Sequence, residues 1–262
     1  MLKYICLMLC ILVAPFYASA SETGFSAADK YELKGGDVLL YDQDYTALAL
    51  QRKGGEPEIL SDYCSYPAVA PARNKFVFLE PWGFEEVSGI YMTQAGDNYA
   101  KTVEIIIPEI PERDTPKEIL WLDDRFLLVI AGFADGTVTA GGNLYFYDND
   151  TKTSGKVITA QNQEINKIAI ENGKLRLTLV GNEYYYIVAN YVNILRDTDT
   201  TELPLTELRR LINAHETLTL AEPPEKHVLY RAQALAGWLY GKILEKHGFD
   251  PVEIIIKQPR QQ

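Results

Sequence analysis

Residues 116–158 read PKEILWLDDRFLLVIAGFADGTVTAGGNLYFYDNDTKTSGKVI. Two apolar, β-rich runs flank Asp123-Asp124, a residue pair suited to a tight turn. A glycine-rich loop follows, then an aromatic strand, a polar turn at Asp148-Asn149-Asp150 and one more strand. The unit therefore predicts four short strands in a row, and its longest apolar run, Phe126–Ala131, is strand-like.

Degraded copies lie on both sides. AVAPARNKFVFLE, ILWLDDRFLLVIA and IAIENGKLRLTLV share an apolar run, a turn and a second apolar run. Their turns centre on Asn74, Asp124 and Gly173, spaced 50 and 49 residues apart. Each is followed by Lys or Arg (Lys75, Arg125, Lys174) and then by a strand-forming run. A second series, Gly36-Asp37-Val38, Gly89-Ile90-Tyr91 and Gly142-Asn143-Leu144, recurs every 53 residues, and Gly181-Asn182 follows only 39 later. That shorter step predicts a tight Gly181-Asn182 turn where the middle unit has the loop Gly132–Gly142. In front, Val38–Tyr41, Tyr45–Leu50 and Glu58–Leu60 read as the back half of a unit whose front half is missing, behind a polar lead-in over 21–34.

A period near 50 with four strands per unit marks β-propeller blades. Ala70-Pro71-Ala72-Arg73-Asn74-Lys75-Phe76-Val77-Phe78 resembles the S-P-D-G-K-x-I-A-F hairpin of TolB-type, WD40-like propeller repeats. It keeps the Pro, the Lys and the apolar strand, and departs from the pattern at Ala70, Ala72 and Asn74. The middle unit is similar to secreted bacterial domains of propeller-like pattern. The resemblance covers residues 36–196 and implies a fold, not an activity. The expected fold is mainly β: a small or incomplete β-propeller of about four four-stranded blades with a C-terminal helix-strand appendage.

The ends carry other signals. Lys3, the apolar Tyr4–Val13 and Ala18-Ser19-Ala20 form a signal peptide with cleavage expected after Ala20. The domain would span 21–196, followed over 197–262 by a linker, an amphipathic helix and a terminal strand. Residues 197–204 (DTDTTELP) read as the linker, and Thr206-Glu207 as the opening of a short helix through Ala214. A longer helix over 225–246 carries the stripe Val228, Ala232, Leu235, Leu239 and Ile243. The terminal run Val252–Ile256 repeats the word VEIII of 103–107 and is expected to complete a blade.

Without the leader the chain has 24 basic and 36 acidic residues, a net of −12. Such a surface repels phosphate backbones, so neither nucleic acid nor an anionic membrane is an expected partner, and no later run is long enough for insertion. Cys64 is the one cysteine left, which excludes an internal disulfide and fits a small buried apolar residue.

No catalytic motif is present, and no cofactor is expected. His215, His227 and His247, spaced 12 and 20 apart, match no metal pattern. Asp148-Asn149-Asp150 and Asp197-Thr198-Asp199 have the alternating oxygens of calcium sites but lack the glycine and distal glutamate of an EF-hand loop, and serve equally as turn residues. The functional expectation rests on loop length. Two loops after the second strand of a unit are expanded, over Glu80–Ser88 and Gly132–Thr139, and the proline-stiffened Pro108–Pro116 joins them on one face. Trp82, Phe84, Glu85, Glu86, Phe133, Asp135 and Thr137 are the candidate binding residues, suited to an envelope protein, peptide or glycan. The opposing possibility is that Trp82, Phe84 and Phe133 fold back as caps. The chain thus reads as an exported, periplasmic or extracellular, non-enzymatic binding or scaffold module. The alternative is a hydrolase of envelope polysaccharide using carboxylates such as Glu85-Glu86, Asp123-Asp124 or Asp135 on the loop-rich face.

Overall fold

The computed structural model describes residues 29–220, except 43, 45, 84–85, 100–101, 135–140, 162 and 189–190, and the backbone of 253–256; for 97 and 182–198 it likewise describes the backbone alone. The signal peptide and the helix expected over 225–246 lie outside these residues. The chain divides into two compact units, Met1–Asp62 and Tyr63–Gln262, each taken here by itself.

The first unit is a four-stranded antiparallel meander, β1 (Asp29–Glu32), β2 (Val38–Asp42), β3 (Ala47–Gln51) and β4 (Pro57–Ser61). Its front strand is present after all. β1 is the charged stretch DKYE, alternately half-buried and exposed, so it carries no apolar run to read. Gly35 and Gly36, both at positive φ, form the β1–β2 turn, so the Gly36 motif is not equivalent to Gly89 and Gly142, which precede third strands. The core strands β2 and β3 bury Leu39, Leu40, Leu48 and Leu50.

Among the described residues the second unit holds three sheets. One has the order β5 (Ala68–Val69), β6 (Lys75–Glu80), β7 (Gly89–Gln94) and β8 (Thr102–Ile105). The next has β9 (Asp114–Trp121), β10 (Phe126–Phe133), β11 (Asn143–Asp148) and β12 (Thr153–Ala160). The hairpin turns fall where Asn74, Asp124 and Gly173 place them. The third sheet departs from the repeat. β13 (Glu164–Glu171) pairs with β14 (Lys174–Val188), which runs unbroken through Gly181-Asn182 with a register shift between Val180 and Glu183. The expected Gly181-Asn182 turn is thus a bulge, a usual role for glycine inside a strand. Its partner β15 (Tyr191–Pro204) takes in residues 197–204, so the expected linker is strand: Thr198 to Pro204 oppose Val180 to Lys174. Threonines and the alternation toward Leu203 suit that state.

A helix follows, α1 (Leu205–Ala214), close to the expected span, with Leu208, Leu211 and Ile212 buried. The strand β16 (Leu218–Leu220) then adds in parallel to β12. The second copy of the VEIII word supplies β17 (Glu253–Ile256), antiparallel to Tyr184–Ile187 of β14.

The middle sheet organises this unit because β10 is buried on both faces. Phe126, Leu128 and Ile130, with Leu144 and Phe146, pack toward β13, β14 and α1. Leu127, Val129 and Ala131, with Tyr145 and Tyr147, pack toward β6, β7 and β8. Alternation of period two sends successive side chains into two separate cores. Each fully buried residue of β10 contributes on the order of 2 kcal/mol.

The long loop of this sheet leaves through a neck that only glycine fits. A Cβ on Gly142 would lie 1.9 Å from the Ala131 carbonyl oxygen, and one on Gly132 would lie 2.1 Å from that of Gly141. Gly142 also exchanges backbone hydrogen bonds with Ile165 at 3.0 and 2.8 Å, tying the neck to β13. Gly142→Ala is expected to cost about 3 kcal/mol, lowering the melting temperature by roughly 10 °C. Gly96→Ala, with open space around its Cβ, should leave the melt unchanged.

Candidate functional site

The two ends of the middle sheet differ in construction. At the hairpin end, Asp123-Asp124 forms the β9–β10 turn. Asp123 Oδ1 accepts from the backbone N–H groups of Arg125 (2.7 Å) and Phe126 (2.8 Å), and its other oxygen accepts from Arg209 of α1 at 2.5 Å. These bonds outweigh burial and hold its carboxyl below the usual range. Asp124 faces the other way: its Oδ1 accepts from the Ala72 N–H at 2.8 Å, and its carbonyl accepts from Lys75 Nζ. Lys75 is buried, 5.0 Å from the Trp121 ring centroid, and burial holds its amine below the usual lysine range against the pull of Asp124 and Asp150. Trp121 in turn donates to the Ala68 carbonyl at 3.0 Å. The pair staples the turn to α1 on one side and to the Ala68–Lys75 hairpin on the other.

Asp148, first of the β11–β12 turn residues, is 3% exposed. Arg125 donates to both its oxygens, at 3.0 and 2.6 Å, and Thr151 Oγ1 and the backbone N–H groups of Asp150 and Thr151 complete its acceptor capacity. The Arg125 hydrogen bonds, foremost, hold its carboxyl far below the usual range. Both oxygens that the calcium reading would use are occupied by this pairing.

Between this turn and the end of α1 lies a cleft of about 280 Å³. Arg125, Asp148, Thr151 and Thr153 form one side, and Asn213 and His215 the other. Phe126, Phe146 and Ile212 lie beneath. His215 is the C-cap of α1, at φ +52°, with its ring edge-on to Phe146 at 5.4 Å. Sequence reasoning placed His215 at a helix end but missed this cleft. Its parts are scattered over 91 positions, and only the unusual residue at a cap position that favours glycine signals it.

The other end carries the loops. The return leg of the first expanded loop meets β9, the Ser88 N–H donating to Thr115 Oγ1 at 2.8 Å. Phe133 opposes Asp114 across the β9–β10 ladder, and the Ala134 N–H donates to the Arg113 carbonyl at 2.9 Å. The roots of both expanded loops and of the 106–113 connection therefore meet around Asp114–Thr115. Trp82 is half-buried against the core shared by the two sheets, Phe133 is half-buried, and Glu86 is exposed. Phe84, Glu85, Asp135 and Thr137 lie outside the described residues. Near these roots, burial pushes the Asp114 carboxyl up despite Lys117 and Lys156. Tyr145 is fully buried, and burial pushes its hydroxyl up to about 12. Neither residue carried a motif in the sequence.

Cys64 is buried. Among the described residues no cluster of three or more His, Cys, Asp or Glu could hold a metal ion, and no helix is long and apolar enough to cross a membrane.

With this geometry in place, comparison with known proteins adds the following. The profile of a domain of unknown function (DUF4652) matches residues 83–191. No curated protein matches. Similar solved structures include a candidate conserved lipoprotein from Clostridium novyi NT, with 20% identity and a TM-score of 0.44 over 54% of this chain and 88% of that one. The β-propeller domain of the trilobed protease from Pyrococcus furiosus, which has an open velcro topology, gives 16% identity and a TM-score of 0.37, over 67% of this chain and 57% of that one. An acylaminoacyl peptidase from Pyrococcus horikoshii gives 11% and 0.36, over 69% of this chain and 33% of the other.

The Asp148 network makes a signed pH prediction. Unfolded, the carboxyl titrates near 3.8, and folded it lies lower. Its stabilisation is complete above about pH 4 and is lost as pH falls toward the folded value. Asp148→Asn should cost about 1 kcal/mol at neutral pH, since its Arg125 partner is half exposed. It should also flatten the acid limb of a urea-denaturation series below pH 4, where wild type is expected to fall steeply.

Proposed function

We propose that the chain is an exported, TolB-type, propeller-like binding or scaffold module of the cell envelope, without enzymatic activity. The observation that carries this reading is the asymmetry of the middle sheet. One end is closed by short turns cross-linked through Asp123, Asp124 and Asp148. The other end gathers three long connections around Asp114–Thr115. Loops carried on a rigid scaffold are the usual arrangement of a recognition surface. The leader-like residues 1–20 and the acidic surface suit an exported, soluble partner of other envelope components. In this reading Trp82 has a double part: one side leans on the core while its remaining surface, with Glu86 and Phe133, meets the ligand.

Hydrolysis of envelope polysaccharide is the second reading. Its support is Asp114, a carboxyl shifted toward the range of a general acid at the root of the loops. It requires a second carboxylate facing Asp114.

The test is co-sedimentation of the mature chain with purified cell-wall sacculi and with membrane vesicles from the same cells. Wild type is expected to sediment with one of them. Glu86→Ala and Phe133→Ala should each reduce the bound fraction at least about threefold, with melting temperatures within about 3 °C of wild type. Equal binding by all three proteins would sink the loop-face reading. Release of soluble sugar fragments that disappears in Asp114→Asn would install the hydrolase in its place.

A further inference from the structure

An asparagine side chain reacts with the backbone nitrogen of the next residue where that residue is small and the step is open to water. Asn172-Gly173 meets both conditions, and it is the one Asn-Gly step in the chain. It forms the two-residue turn between β13 and β14, closed at its base by the pair Glu171 and Lys174. Both turn residues sit at positive φ, +50° and +74°, which asparagine and glycine tolerate. Residues 171–174 are all exposed.

The turn leaves the pair chemically open. A Cβ on Gly173 would meet no atom within 4 Å, so neither a side chain nor a neighbouring element crowds the nitrogen. Among the described residues, neither the Gly173 N–H nor the Asn172 carboxamide makes a hydrogen bond. Other asparagines are held. Asn143 Oδ1 accepts from Thr159 at 2.6 Å and Asn149 Oδ1 from Lys152 at 3.0 Å, and leucine and aspartate follow them. Asn213 precedes Ala214 inside α1, where the peptide nitrogen is committed to the helix ladder.

We propose that Asn172-Gly173 is a site of spontaneous, one-way covalent modification whose isoaspartyl product loosens the start of α1. A base takes the Gly173 amide proton, and the nitrogen lone pair forms a bond to Asn172 Cγ. The Cγ–Nδ2 bond breaks, the side-chain nitrogen leaves as ammonia, and a cyclic imide remains. Water then opens the ring. Attack at Cγ gives aspartate on the original backbone; attack at the main-chain carbonyl carbon gives isoaspartate, in which the chain runs through the former side chain. The sequence consumes water, releases ammonia and changes no oxidation state. It does not depend on what the loop face binds.

The isoaspartyl product is the disruptive one. It adds a methylene to the main chain inside a turn whose base is fixed by the sheet. The Gly173 carbonyl accepts from the N–H of Leu205, the first residue of α1, at 3.1 Å. Displacing that carbonyl takes a partner from the first turn of a helix whose N-cap is Pro204, a residue with no side-chain group to replace it.

The mature chain is aged at mildly acidic and at mildly alkaline pH and digested with trypsin. Residues 168–174 (IAIENGK) are then followed by chromatography and mass spectrometry, with isoaspartate identified by enzymatic methyl transfer. This peptide is expected to convert ahead of every other asparagine peptide, faster at alkaline pH, to two products of one mass, the isoaspartyl form in excess. The aged chain should melt about 4 °C below the fresh chain, and amide hydrogen exchange over 205–208 should quicken. Asn172→Asp carries the new charge on an unaltered backbone and should melt within about 1 °C of fresh wild type. The proposal is overturned if another asparagine converts first, if residues 168–174 convert only in urea, or if the aged chain melts and exchanges as Asn172→Asp does.

Discussion

A strand buried on both faces cannot stand alone, and β10 is such a strand. Leu127, Leu128, Val129, Ile130 and Ala131 are all fully buried. Five consecutive apolar residues alternate between two cores, so the chain must place one layer on each side of this sheet. The 67–107 segment supplies one layer, and β13, β14 and α1 supply the other. Everything else in the second unit follows from meeting that demand twice.

The polar residues at the turns serve the same demand. Apolar layers slide easily, since burial is non-directional. Direction comes from Asp123 and Asp124, neighbours in sequence that bond to opposite sides, one to α1 and one to the Ala68–Lys75 hairpin. Arg125, the next residue, then locks the β11–β12 turn through Asp148. Three consecutive residues therefore fix the register of the middle sheet against α1, against the β5–β6 hairpin and within its own turns. The half-exposed pairs in this set contribute modestly to stability; their value lies in specifying one arrangement.

Much of this was readable before any coordinates. The hairpins at Asn74, Asp124 and Gly173 were legible because turn residues and apolar runs are local signals that recur at a fixed period. The short helix was legible for the same reason. What escaped notice escaped for physical causes. β1 is an edge strand and its charged side chains conceal it. Gly181-Asn182 has the chemistry of a turn, yet tertiary pairing carries β14 through it as a bulge. Asp197, Asp199 and Glu202 made β15 look like a linker, because a polar, acid-rich run carries no apolar strand signal. The cleft was invisible because it joins Arg125 to His215, and no local pattern spans that interval. Of the loop-face residues, the sequence indicated the loops; that their roots converge on Asp114–Thr115 is a product of strand register alone.

The glycine neck has a consequence for how such a chain can vary. Gly132, Gly141 and Gly142 bring the two legs of the loop into backbone contact and bond them to β13 before the loop begins. The ends are thereby closed by the sheet and not by the loop, so the loop's own length is nearly free: doubling it costs only about 0.6 kcal/mol in closure entropy. Insertions and deletions between 135 and 140 are thus insulated from the core. Natural drift or deliberate grafting could exchange the contents of this segment wholesale, which makes it the natural place for related chains to diverge while keeping one scaffold.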